Sequence, residues 1–277
     1  MILNSHRSLR NFLIVNGFLL SLGFIEYYLC TVLIYSFIQY SIARFFGILI
    51  VYTTRNYLLV QFIEYGTMNK PWIQTKIIPK VKEEYPIEFH KEMIITTSVE
   101  TVTHMYITSW IIRCHDTSII YQIGQFIPLS FLFEIVFDFF HYLSHRTLHH
   151  PSIYKYFHKK HHKFQNPITM TTFYQDPVDL VITNSIPTIL SFMTIPSISY
   201  RIFHWITIYK NFIEISGHSG KISYPTTSFP QFIWLPKWFG IELYTEDHDL
   251  HHSENNCNYS KRFSLWDKLF GTYRKKK

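Results

Sequence analysis

Residues 119–150 read IIYQIGQFIPLSFLFEIVFDFFHYLSHRTLHH, and two features of this stretch decide the fold. Positions 119–145 are almost continuously apolar, long enough for a membrane-embedded helix, which needs roughly 17–25 residues. Near its end, His141, His145 and His149 recur at every fourth position. Residues four apart share one face of a helix, so the three imidazoles form a stripe that runs off the end of the apolar segment.

Outward from this stretch, apolar segments recur at about 11–38, 42–65, 92–113, 178–196 and 199–217, which makes six in all. The segment 92–113 is the most polar, with Glu100 and His104, and suits a re-entrant or interfacial helix. Mean hydropathy is only +0.03 despite 47% hydrophobic and 18% aromatic residues, so the uneven distribution, not the average, points to a bilayer. Arg7 and Arg10 before the first apolar run imitate a signal peptide. No small-x-small cleavage site follows, and the run reads as an uncleaved first helix. Pro196, Ser197 and Ser199 suit a tight turn, so the segments 178–196 and 199–217 are expected to pack antiparallel as a hairpin. The expected fold is an all-α integral membrane helical bundle, with about four to six embedded helices and a cytosolic histidine-rich cap. Without a repeat, low-complexity tract or linker, residues 1–118 (N-terminal membrane helices) and 119–277 (the histidine-bearing part) are expected to form one integrated unit.

A net charge of +7 without a helix-turn-helix, zinc-finger or RNP pattern excludes a nucleic-acid partner and fits the Lys/Arg excess of cytoplasmic membrane flanks. If all six segments cross, 21 of the 26 basic residues fall on one side; only Arg44, Arg55, Arg113, Arg201 and Lys210 lie elsewhere. Three scattered cysteines, Cys30, Cys114 and Cys257, make no disulfide framework and fit a reducing, cytosolic active face.

Ten of the sixteen histidines crowd into two windows: His141, His145, His149, His150, His158, His161 and His162, then His248, His251 and His252. His158-x2-His161-His162 and His248-x2-His251-His252 repeat one pattern, and each can aim two or three imidazoles at one point. Imidazole suits Fe, Zn, Cu and Ni. Two such triplets with a His-x3-His pair exceed one tetrahedral zinc and suit two metals. Around Lys155, Lys159 and Lys160 a merely basic, headgroup-binding surface is the alternative. The triplet recurs at 248–252 among Glu246, Asp247, Asp249 and Glu254, which argues against a role for charge alone. The isolated His6, His90, His104, His115 and His204 read as surface or hydrogen-bonded residues. His218, at the cytosolic end of the last apolar segment, joins the same face.

HRTLHH at 145–150, HKKHHKF at 158–164, SGHSG at 216–220, HDLHH at 248–252, and then NYS and WDKLFGTY within 258–273, resemble the fatty acid hydroxylase/sterol desaturase superfamily of membrane di-iron enzymes over about 134–273. Within it the chain looks most similar to sterol C4-methyl oxidases, while sterol C5-desaturases and alkylglycerol monooxygenases share the same motifs. Ser260 and Lys221 depart from the usual glycine and aromatic residue. The resemblance implies a fatty acid hydroxylase-like catalytic part over 119–277. The ligands it implies for two Fe ions are His145, His149, His158, His161, His162, His218, His248, His251 and His252. It leaves His141 between a tenth ligand and a supporting role, and His150 packing or hydrogen bonding nearby. Asp138, seven residues before His145 and eleven before His149, shares their helical face and is expected to orient a ligating imidazole through its N–H.

The activity so implied is O2-dependent hydroxylation or desaturation of a lipid, a sterol or a fatty-acyl or alkylglycerol substrate, in the endoplasmic reticulum membrane with the site facing the cytosol. No haem, dinucleotide or C-x-x-C signature is present, so electrons from NAD(P)H are expected through a cytochrome b5/reductase-type donor. The competing class is a histidine-rich metal transporter, which would place its ligands near the bilayer midplane. Here they follow the spans. An oxygenase of this kind requires the 158–162 and 248–252 triplets to meet within about 10 Å, given metal–nitrogen bonds of about 2 Å.

Overall fold

The computed structural model describes residues 2–74, 85–112, 117–196, 198–224 and 226–275, with side chains from residue 9 onward. Lys76, Lys80, Lys82, Arg113, Cys114, His115, Ser197, Lys276 and Lys277 lie outside the described residues, as do the side chains of His6 and Arg7. Among the described residues there are helices and no strand; one isolated antiparallel bridge joins Trp72 to Lys221. The chain is an all-α membrane protein.

Helix α1 (Ile2–Tyr27) continues through a π-helical stretch, Tyr28–Ile34, to Tyr35–Phe37. Then come α2 (Ser41–Thr67), α3 (Ile87–Trp110) and α4 (Ile119–Leu148), with Ser118 Oγ accepting from the Tyr121 amide at the start of α4. At 1.5 Å per residue, a helix of 30 residues is about 45 Å long, against a hydrocarbon core of about 30 Å. The last turns of α4 can therefore project beyond the apolar layer, and these turns carry His141 and His145. Short helix α5 (Pro151–Phe157) follows. Helix α6 runs from Pro177–Leu180 through a π-helical turn, Val181–Ser185, to Ile186–Thr194. Helices α7 (Tyr200–Gly217) and α8 (Thr245–Glu254) complete the frame.

Among the described residues, three helices are long and apolar enough to cross a membrane: 9–37, 41–67 and 119–148. Only 28%, 39% and 33% of their most apolar windows are buried inside the protein, so most of that apolar surface faces outward, where a bilayer would cover it. The six expected segments are all helical, but the other three differ from simple spans. The helix α3 carries Glu88, Glu92 and Glu100, and α6 is broken by its π turn. In α7, 13 of 18 residues are buried by protein. A helix apolar all round must be surrounded, but by lipid or by protein equally well. The expected hairpin also differs: α6 packs mainly on α4, and α7 on α1.

The α1–α7 contact is close. A Cβ on Gly23 would come within 2.8 Å of Trp205, whose indole N–H donates to the Leu20 carbonyl, and Tyr209 donates to Asn16 Oδ1 at 2.6 Å. Beneath it the interior is charged. Arg55, 1% exposed, pairs with Glu26 at 3.1 Å and Glu100 at 2.7 Å, while His204 donates to Glu26 at 2.8 Å and Asn211 to Glu100 at 2.5 Å. Lys210 donates to Asn184 Oδ1 at 2.7 Å. Two cations that sit on the poorly charged side in a simple topology are thus interior groups with partners. Buried charge is tolerated when it is paired, and removing one partner leaves the other uncompensated. Arg55→Met is therefore expected to destabilise the bundle by about 3–5 kcal/mol. A thermal unfolding midpoint in detergent equal to that of the wild type would contradict this.

Candidate metal centre

The nine histidines expected to bind metal converge. His145 and His149 come from the end of α4, His158 caps α5, and His161 and His162 lie in a 3-10 turn, His161–Lys163. His218 caps α7, and His248, His251 and His252 lie on α8. They form two groups, His145, His149, His158, His162 and His251, and then His161, His218, His248 and His252. Within each group the candidate ligand atoms lie within 4.8 Å of one another.

The two His-His doublets explain the division. Adjacent residues on a helical turn point about 100° apart, so His162 and His251 join the first group while His161 and His252 join the second. Each triplet serves both sites and not one point, as its spacing alone had suggested.

Hydrogen bonds fix the tautomers. A carbonyl oxygen only accepts, so Nδ1–H of His145 donates to Tyr259 O (2.8 Å), that of His251 to Cys257 O (2.7 Å) and that of His218 to Glu214 O (2.8 Å). His158 Nδ1 donates to Asp179 Oδ2 at 2.9 Å. In the neutral ring this leaves Nε2 as a lone pair. Yet Nε2 of His162 lies 3.1 Å from that of His158 and 3.2 Å from that of His251. The Nε2 atoms of His218, His248 and His252 form a triangle with sides of 3.2 Å. The Nδ1 atoms of His162, His248 and His252 have no hydrogen-bond partner, so these rings can turn either an N–H or a lone pair toward their neighbours, and a shared cation would be met by lone pairs from all of them. Nitrogens bound to one ion at about 2.1 Å and at right angles would be about 3.0 Å apart, so the spacing fits a shared metal in each group. Burial pushes His218 and His251 down to about 3, and His161, His162, His248 and His252 well below the ordinary imidazole range, which keeps the rings in the neutral, ligating form.

The supporting carboxylates differ from expectation. Asp138 touches no imidazole: Oδ1 accepts from the amides of Lys261 (2.7 Å) and Arg262 (3.0 Å), and Oδ2 from that of Phe263 (3.0 Å). Asp267 does the same for Tyr259 and Ser260, both at 2.8 Å. Together they hold the 259–263 backbone, whose Tyr259 carbonyl orients His145. A carboxylate that does meet a ring of the first group is Asp179, which sequence reasoning missed because no local spacing links it to His158, 21 residues away. Its only sequence signal is the helix start in DPVD, where Asp176 caps α6.

Other motif residues find structural roles. Gly220 of SGHSG has φ +64, and a Cβ there would lie 2.6 Å from Pro167 O. Lys221 lies 3.6 Å from the centre of the Trp72 ring, so an aromatic group contacts it from elsewhere in the chain. Ser260 keeps a buried hydroxyl without a hydrogen-bond partner. His150 Nδ1 accepts from the Ser152 amide at the start of α5. His90 pairs with Tyr57 at 2.6 Å and His204 with Glu26, while His104 packs on Tyr52 near Glu100. His141 stands beside His145 but in neither group; its Nδ1–H donates to Thr183 O at 2.7 Å.

The model of the fatty acid hydroxylase family matches residues 130–272, a little over half of the chain and the part that carries all nine histidines of the two groups. The chain belongs to that family. Among its relatives, "Fatty acid hydroxylase vlmA" of Lecanicillium sp is 36% identical over 51% of this chain and 40% of its own length. "Methylsterol monooxygenase 1" of Rattus norvegicus is 33% identical over 50% and 44%. "Methylsterol monooxygenase erg25B" of Aspergillus fumigatus is 27% identical over 76% and 74%. The chain thus spans less than half the length of two of these relatives and about three quarters of the third. No solved structure matches it.

For this family member, removing the carboxylate behind a ligating ring is expected to loosen metal. Asp179→Ala should weaken iron retention about 10–100-fold against a graded chelator, measured by elemental analysis of purified protein. His90→Ala should leave retention unchanged.

Proposed function

We propose that the chain is a membrane-bound, O2-dependent di-iron oxygenase that hydroxylates a lipid, with a sterol methyl group as the leading substrate class. The observation that carries this reading is the pair of histidine groups, five and four residues strong and buried except for half-buried His149, meeting in one centre. Two such groups supply one iron each, with His145, His149, His158, His162 and His251 on one and His161, His218, His248 and His252 on the other. Iron with O2 supplies the oxidising power that amino-acid side chains lack.

The chain's own residues hold and enclose. Tyr259 O, Cys257 O, Glu214 O and Asp179 aim the rings of His145, His251, His218 and His158, which are all buried. Between α4, α5 and α6 lies an apolar groove of about 480 Å³, lined by Phe140, Leu143, Phe157, Ile182, Ile186 and Leu190 among others, a size suited to part of a lipid. In the overall reaction one oxygen atom enters the C–H bond and the other leaves as water, consuming two electrons and two protons. NAD(P)H is the electron source, through a cytochrome b5/reductase-type partner. The relatives named as monooxygenases and a hydroxylase support hydroxylation over desaturation. A fatty-acyl or alkylglycerol substrate is the second reading, favoured by the vlmA similarity.

The histidine-bearing face belongs in the cytosol, with residues 1–118 as the membrane part and 119–277 as the catalytic part of one unit in the endoplasmic reticulum. A transporter is disfavoured because the ligands cluster after the spans and are enclosed.

Protein in nanodiscs, given Fe(II), isotopically labelled O2 and a reductase–cytochrome b5 chain, should place one labelled oxygen in a C4-methylated sterol or, on the second reading, in a fatty-acyl lipid. His161→Ala should abolish this and His90→Ala should not. Metal flux in vesicles with no lipid oxidation would reverse the assignment. Maleimide probes at Lys159→Cys and Ser253→Cys, both exposed sites, should react from the same, cytosolic, side.

A further inference from the structure

A second feature of the centre is a small polar cavity that touches both histidine groups: His145 and His158 of the first and His161 and His248 of the second line it. Its volume is about 20 Å³, room for about one water-sized group, since a cavity needs roughly 10–15 Å³ to hold a water. Two more of its lining residues carry buried polar atoms without a protein partner. One is His141, 6% exposed. Its Nδ1–H is held by Thr183 O, the carbonyl of a residue in the π-helical turn of α6, so its open atom is Nε2, an acceptor in the neutral ring. The other is Thr172, 7% exposed, whose hydroxyl has no hydrogen-bond partner.

Buried polar atoms cost free energy unless they are matched. The surroundings define what matches them. The cations at this end, Lys261 and Arg262, already face Glu214, and Arg262 also pairs with Glu134 at 2.9 Å. Asn184 Oδ1 accepts from Lys210. The protein's own cations here are thus already paired, and the open Nε2 of neutral His141 needs a donor, which an anionic oxygen cannot supply. A neutral hydroxyl, by contrast, donates to Nε2 and accepts from a threonine O–H at once. His141 also lies outside both ligand groups, so its open nitrogen is not accounted for by either metal.

We infer that His141 and Thr172 are positioning residues that bind a hydroxyl of the lipid substrate in this cavity, and so select a lipid alcohol whose hydroxyl oxygen lies about three bonds from the carbon to be oxidised. The proximity follows from the cavity: a group small enough to fill it sits against ligands of both metals, and the attached carbon framework begins there. This rests on the oxygenase reading for its consequence, but the binding itself requires neither O2 nor electrons.

Equilibrium binding of a radiolabelled C4-methylated sterol and of its analogue with hydrogen in place of the hydroxyl separates the two questions, using the full chain in nanodiscs both iron-loaded and metal-depleted. The wild type should prefer the alcohol by about tenfold or more, the scale of one buried hydrogen bond. Thr172→Val, which keeps the shape, should cut that preference to about threefold or less, and Thr172→Ser should restore it. His141→Phe should do likewise with iron content unchanged. If His141→Phe fails to fold for want of the Thr183 bond, the Thr172 pair decides alone. Equal binding of both lipids by the wild type would mean that only water fills the cavity, and would overturn the inference. So would a preference that both variants leave intact, or loss of iron in folded His141→Phe, which would make His141 a ligand. A preference that persists in a protein found unable to oxidise lipid would leave the hydroxyl site standing and remove the oxygenase reading instead.

Discussion

The organisation of this protein depends on what holds the Nδ1 side of the imidazoles in its two histidine groups. With that nitrogen donating to Tyr259 O, Cys257 O, Glu214 O or Asp179, the ring turns its Nε2 lone pair inward and cannot escape repulsion by donating a proton. In the second group the Nε2 atoms of His218, His248 and His252 stand 3.2 Å apart, and a shared cation would let all three accept at once. Much of the surrounding structure serves to place those four acceptors: Asp138 and Asp267 hold the backbone that carries Tyr259, the last turn of α7 supplies Glu214 O, and the first turn of α6 supplies Asp179.

The membrane helices and the centre are linked through α4. It is long enough to cross the apolar layer and still project, so lipid-facing residues and His145 of the first histidine group share one rigid rod. Buried charge concentrates where that rod meets α7. Arg262, fully buried, joins Glu134 of α4 to Glu214 of α7, four residues before His218. Low dielectric strengthens such pairs and makes a broken one costly, which ties the alignment of the two helices to the position of His218.

The π-helical turn at 181–185 links the centre to the groove beside it. Thr183 O there takes the His141 proton, while Ile182 and Ile186 on either side line the apolar groove. π turns inside α-helices often mark functional sites. Here one helix, α6, presents a polar face to the histidine groups and an apolar face to the groove, with its π turn at the change.

The all-α membrane class and the nine converging histidines were legible in the sequence, because apolar length and i, i+3, i+4 spacing are local quantities that a helix converts directly into faces. Local spacing also reached Asp138 and then misread it, since sharing a face with His145 says nothing about which backbone, more than 120 residues later, will occupy that face. The split of each His-His doublet between two sites, the Asp179–His158 pair and the burial of α7 by protein and not lipid were decided only in three dimensions. Each depends on contact between segments far apart in the chain. Hydropathy reports that a surface must be covered, and spacing reports where a side chain points; neither specifies what will be standing there.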